Sequence, residues 1–148
     1  MGGNASSPKP YDPSVYAGGF EYLADTSHTE SVAVFVDESF TLLSPCGQEL
    51  KRRFGGIGWL LNQHITAGNI LAMKYGNRYV YYVITNKNSY TSASQDTFTA
   101  AVNALYDHMD TNGVQLVVVE NVAPKWIDQS VFVSTLSTIL GANYVFYS

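Results

Sequence analysis

Six consecutive residues, Tyr79-Val80-Tyr81-Tyr82-Val83-Ile84, run without a polar break. Successive strand side chains point to opposite faces, so a strand with one wet face must alternate apolar with polar. This run does not alternate. It predicts a strand covered on both faces, inside a sheet rather than at its edge. Ser31-Val32-Ala33-Val34-Phe35-Val36-Asp37 makes the same demand, and Gln115 to Val119 reads as another buried strand. A sheet covered on both sides needs helices as its cover, which makes the chain α/β.

The remaining segments supply those helices. Ser44-Pro45 opens one, with Ser44 suited to the N-cap and Pro45 to the first turn; it carries Lys51, Arg52 and Arg53 and breaks at Gly55-Gly56. A second, short helix covers roughly Ile57 to His64. Ser92 with Gln95 three residues on forms a capping box for a long helix. Its apolar stripe is Phe98, Ala101, Val102, Leu105 and Met109, and Asn112-Gly113 ends it. Trp126 to Leu140 is a further helix, closed by Gly141, and Asn143 to Tyr147 is the last strand. Strands at Asn69 to Tyr75 and Arg78 to Thr85 flank Gly76-Asn77 as a hairpin. Phe20 to Ala24 is a short first strand. Residues 1–19, with Pro8, Pro10 and Pro13, form an extended arm, and residues 20–148 form the domain.

This order predicts a mixed sheet with helices on both faces. In such sheets ligands bind outside the carboxyl ends of the strands, close to helix N-termini. The loops after Asp37, Thr85 and Val119 are therefore the place to look.

Composition narrows the chemistry. A chain of 148 residues with 46% hydrophobic and 14% charged residues is one domain with a packed core. Net charge is −4 and there is no basic run, which argues against non-specific nucleic-acid binding. Any phosphate must then be held by backbone N–H groups. Cys46 is the single cysteine, which fits an intracellular, reducing setting, cytoplasmic or nuclear. No apolar run reaches the ~18 residues of a membrane span. His28, His64 and His108 are scattered, with no partner at metal-ligand spacing, so no metal and no cofactor are expected; each reads as solvated or structural. Met1-Gly2-Gly3-Asn4-Ala5-Ser6 fits the myristoylation pattern at Gly2, and equally an unmodified Met-Gly-Gly start. Only Lys9 lies nearby, so a lipid there would give marginal membrane contact.

Phe54-Gly55-Gly56-x-x-x-Leu60-Leu61-Asn62-Gln63, then Ala67-Gly68-Asn69, Ala72-Met73-Lys74 and Gly76 through Thr85 resemble the macro-domain family. The resemblance covers about two thirds of the chain and is closest to the branch of the terminal ADP-ribose protein glycohydrolases. It implies a three-layer α/β/α fold with a mixed central sheet. It implies ADP-ribose as ligand, free or attached to protein or nucleic acid. Lys74 occupies the place of that branch's covalent nucleophile, against the plainer reading of a solvent-facing strand lysine. Asp25 stands for the adenine-contacting aspartate, Asp37 and Glu38 for the distal-ribose loop, and Tyr147 for the side chain against the adenosine. For these, loop solvation or core packing is the alternative. Ser44, Cys46 and Gly47 fall on the first phosphate loop, Thr85 beside the loop after the hairpin, and Asn121 and Ala123 on the second phosphate loop.

Two departures bear on function. The first phosphate loop reads Leu43-Ser44-Pro45-Cys46-Gly47, in which Pro45 has no N–H to offer. The second, Glu120-Asn121-Val122-Ala123-Pro124-Lys125-Trp126, has no glycine and brings a carboxylate to the diphosphate position. Asp128, the nearest aspartate, suits a helix start. These changes predict weak binding of ADP-ribose or a related nucleotide with hydrolase activity in doubt. Two alternatives stand beside that reading. One is an ADP-ribosyl hydrolase using Lys74. The other is a ligand-free structural or interaction protein, partnered by another protein, membrane-associated or part of a viral particle.

Overall fold

The computed structural model describes residues 30–41, 48 and 62–147. Its elements in chain order are β1 (Ser31–Asp37), β2 (Asn69–Tyr75), β3 (Arg78–Asn86), α1 (Gln95–Thr111), β4 (Val117–Glu120), α2 (Gln129–Leu140) and β5 (Tyr144–Tyr147). The arm, the strand expected at Phe20 to Ala24 and the helix expected from Ser44 lie outside the described residues. Of the second short helix only the end is described. Asn62 is helical, and His64 at φ 52° takes a left-handed backbone that a continuing helix forbids.

The sheet order is β2-β3-β1-β4-β5. β3, β1, β4 and β5 run parallel, and β2 adds to the β3 edge antiparallel, so the sheet is mixed as expected. Gly76, at φ 62°, takes the first position of the two-residue loop between β2 and β3, where a hairpin turn of the II′ kind requires glycine. β1 and β3, the two uninterrupted apolar runs, are flanked by strands on both sides. Each sends alternate residues to opposite faces. Val32, Val34, Val36, Val80, Tyr82 and Ile84 share one face, packed with Phe40, Leu71 and Met73. Ala33, Phe35, Tyr81, Val83, Val117 and Val119 share the other, beneath α1 and α2. Both described helices thus cover one face. The other face is no less buried, with Val34 and Ile84 at 0% exposure.

The helical cover is held by its aromatic residues. Phe132 of α2 lies 5.3 Å from Phe35 of β1, 5.9 Å from Phe98 of α1 and 5.7 Å from Phe146 of β5, centroid to centroid. These contacts join two helices and two strands at one fully buried ring.

Strand ends fall within two residues of expectation, and the two helix starts shift by two and three residues for local reasons. The N-cap of α1 is Ser94, not Ser92, because the Ser94 hydroxyl accepts from the Thr97 N–H at 3.0 Å. The other end follows the expected Asn112-Gly113: Val114 N–H donates to Met109 O at 2.8 Å and Gly113 takes φ 70°, a glycine-terminated helix stop. α2 starts at Gln129 rather than Trp126, because residues 124–127 form a separate turn in which Ile127 N–H donates to Pro124 O at 3.0 Å. β4 begins at Val117 and runs on to Glu120.

Candidate functional site

The connection leaving β1 leads to β2 and β3 on one side, while the connection leaving β4 leads to β5 on the other. Between β1 and β4 the two loops part, and this is where an open α/β sheet forms a crevice. The strand pairing marks the place. The β1–β3 ladder runs from Val32↔Val80 to Asp37↔Asn86, but β1 and β4 pair only from Ser31↔Val117 to Ala33↔Val119. β4 ends at Glu120, so the carboxyl half of β1, from Val34 to Asp37, runs on past its last β4 pair and stays paired on its β3 side. The N-termini of α1 and α2, each following a strand's carboxyl end, direct their positive dipole ends to the same edge.

The side chains around this crevice are largely committed to the protein's own backbone. Asp37, fully buried, accepts from the Thr41 N–H at 2.6 Å through Oδ1 and from the Thr41 hydroxyl through Oδ2. Glu38 accepts from the Ala67 N–H at 2.8 Å and so pins the segment entering β2. Thr85, 2% exposed, donates to Asn86 Oδ1 at 2.7 Å. Asn86, 1% exposed, donates in turn to Thr91 O at 2.7 Å. These three expected ligand residues, Asp37, Glu38 and Thr85, shape the loops. Asn121 is exposed at the crevice and accepts from Gln129 Nε2 at 2.7 Å; Ala123 is half-buried beside it. Glu120 ends β4 at 6% exposure, opposite Tyr147 in register. Tyr147 therefore ends its strand at this same edge. Asp128 takes the N-cap position of α2, yet its side chain makes no capping bond. Gly2, Asp25, Ser44, Cys46 and Gly47 lie outside the described residues.

Lys74 is at the other end of the sheet. Running antiparallel, β2 carries it to the amino end of β3, where it pairs with Tyr79. Its Nζ lies 5.8 Å from the Tyr79 ring centroid, and both line a cavity of about 370 Å³ with Asn77 and Asn112. At ~3.3 Å per strand residue, about 23 Å separates Tyr79 from Asn86 at the crevice. Among the described residues, Lys74 is not brought together with Asp37, Glu38, Thr85, Asn121, Ala123 or the backbone of Tyr147.

In the cluster beside Lys74, His108 takes the structural of the two roles expected for it. Rather than facing solvent, its Nδ1 is bonded to the Tyr81 hydroxyl at 2.9 Å and its ring meets Tyr79 edge-on at 4.7 Å. Burial holds the imidazole below its ordinary pKa. Burial, then the neighbouring Tyr79, pushes the Tyr81 phenol well above the ordinary value. Among the described residues no group of three His, Cys, Asp or Glu could hold a metal ion. No described helix is long and apolar enough to cross a membrane.

Three residues with no sequence signal stand out on the loops after β3 and β4. Lys125 bridges them: its carbonyl accepts from the Ala93 N–H at 3.3 Å and its Nζ donates to Ser89 O at 2.8 Å. Trp126 is 72% exposed and Tyr90 is 90% exposed. Trp126 adopts φ 71° at the third position of the 124–127 turn, where glycine or asparagine is the ordinary occupant. A bulky residue in this backbone region costs about 1–3 kcal/mol.

No protein-family model matches the chain. Human ADP-ribose glycohydrolase OARD1 is 30% identical over 86 residues, which are 58% of this chain and 57% of that protein. The chain thus spans little more than half the length of this curated relative. Among solved structures, the macrodomain of Mycobacterium tuberculosis DarG superposes with a TM-score of 0.66 at 15% identity, covering 81% of this chain and 90% of that one. The macrodomain of Thermus aquaticus DarG gives 0.67 at 12% identity, with 82% and 91% covered.

Proposed function

From its membership of the macro domain family, we propose that this chain binds ADP-ribose or a related nucleotide at the β1/β4 crevice. The observation that carries this reading is the switch of chain direction between β1 and β4, whose following connections lead to opposite sides at the carboxyl edge of a sheet of the macrodomain fold. A diphosphate there meets the positive ends of α1 and α2 and backbone N–H groups of Asn121 and Ala123. Binding is weak, because Glu120 brings a carboxylate to the same rim and Pro124 offers no N–H. An ADP-ribosylated macromolecule presents the same group and is the corresponding partner class.

Glycosidic cleavage by Lys74 is the less favoured reading. A nucleophile must reach bonding distance of the anomeric carbon, and Lys74 lies at the opposite edge of the sheet. Calorimetry of the full chain with ADP-ribose tests both points. The expected result is measurable heat that Lys74→Ala leaves within twofold in affinity; a silent titration sinks the binding reading. Should Lys74→Ala instead abolish release of ADP-ribose from a modified protein, the hydrolase reading takes its place.

A further inference from the structure

The most exposed large aromatic residues among those described, Tyr90 and Trp126, stand on two loops that are fastened together. Asn88 Oδ1 accepts from the Tyr90 N–H at 2.9 Å and from the Thr91 N–H at 3.1 Å, and Lys125 Nζ closes the gap to Ser89 O at 2.8 Å. Both rings are therefore carried on backbone held from several directions, on the loops that leave the carboxyl ends of β3 and β4. The Lys125 ammonium sits 5.7 Å from the Trp126 ring centroid.

Trp126 combines two features that packing does not explain. Its backbone is left-handed, at φ 71°, which glycine would adopt freely. Its side chain returns little to the core, since 72% of it is in water. A residue kept there for stability would be a glycine or an asparagine. A strained backbone that raises a large flat ring into solvent beside a crevice has the form of a stacking platform. Lys125 adds a cation on a chain whose net charge is −4 and whose phosphate-facing loops are otherwise poor in positive groups.

We propose that the Trp126 indole stacks on the base of the nucleotide bound at the β1/β4 crevice, with the Lys125 ammonium placed for its phosphates. The inference rests on the nucleotide-binding reading above and names the residues that make up for the altered phosphate loops. Base stacking on an aromatic side chain changes affinity by roughly ten-fold when the ring is removed.

The test uses the full chain, with Trp126→Gly and Trp126→Phe compared by calorimetry against ADP-ribose and by thermal unfolding. Stacking predicts that Trp126→Gly binds about ten-fold more weakly and Trp126→Phe recovers most of the loss. Glycine relieves the left-handed backbone, so Trp126→Gly should also unfold about 3 °C higher than the wild type. A structural Trp126 would lower unfolding temperature and affinity together, which overturns the proposal. Equal affinity of Trp126→Gly and wild type overturns it as well while leaving the binding reading intact, and would point to a protein surface as the occupant of the platform. No heat with the wild type removes both.

Discussion

Protonating His108 inside the folded chain means charging a ring held between Tyr79 and Tyr81. Burial keeps its folded pKa below the ordinary 6.5, so between the two values the unfolded chain carries a proton that the folded chain does not. Stability is whole above pH 6.5 and declines as pH falls from there toward the folded value. The unfolding temperature should be lower at pH 5.5 than at pH 7.5, and His108→Gln should flatten that difference; an unchanged slope in the variant would assign the effect elsewhere. His108 also shows why single residues were hard to read. Its partner Tyr81 is 27 positions away, and Glu38 finds the Ala67 amide 29 positions away. Nothing in the local sequence separates an acid that greets a ribose from one that caps a neighbouring backbone. The Asp37–Thr41 pair, four positions apart, is the kind of contact that local spacing can reveal.

Elements were far more legible than side-chain roles. β1 and β2 fall at the expected residues, and β3 runs one residue past its expected end. The apolar stripe read for α1 is its buried face, Phe98, Ala101, Val102, Leu105 and Met109. Helix and strand periods are properties of neighbouring residues, so they survive without tertiary information. Caps depend on which of several nearby serines meets an amide, and here Ser94 does so. Ser94→Ala should cost about 1 kcal/mol by urea unfolding. Phe132→Ala should cost about 3–5 kcal/mol, because it empties the point where α1, α2, β1 and β5 meet. A reversed order of the two losses would mean that the aromatic contacts do not bind the helices to the sheet. The sequence reads α2 as starting too early, because the 124–127 turn contains no glycine to mark it; Trp126 occupies the position that a glycine would announce.

For the molecule as a whole, a net charge of −4, with no run of basic residues longer than Lys51-Arg52-Arg53, offers few phosphate contacts and so little counterion release on a nucleic-acid backbone. Unmodified duplex should not be retarded in a gel at 50–200 mM salt, and salt-sensitive retardation would contradict this. The α/β class and the mixed sheet follow from the sequence alone, because uninterrupted apolar strands need two-sided cover and their order restricts the topology. The predicted hairpin even placed Lys74 beside the start of β3. Only the tertiary structure decided which end of the sheet that is, since the direction of β3 relative to β1 is a matter of long-range pairing. The same pairing left Lys74 at the amino edge and raised Trp126 at the carboxyl edge. Local periodicity tells which face a side chain takes, but the end of the sheet it reaches is set by contacts between residues nearly fifty positions apart.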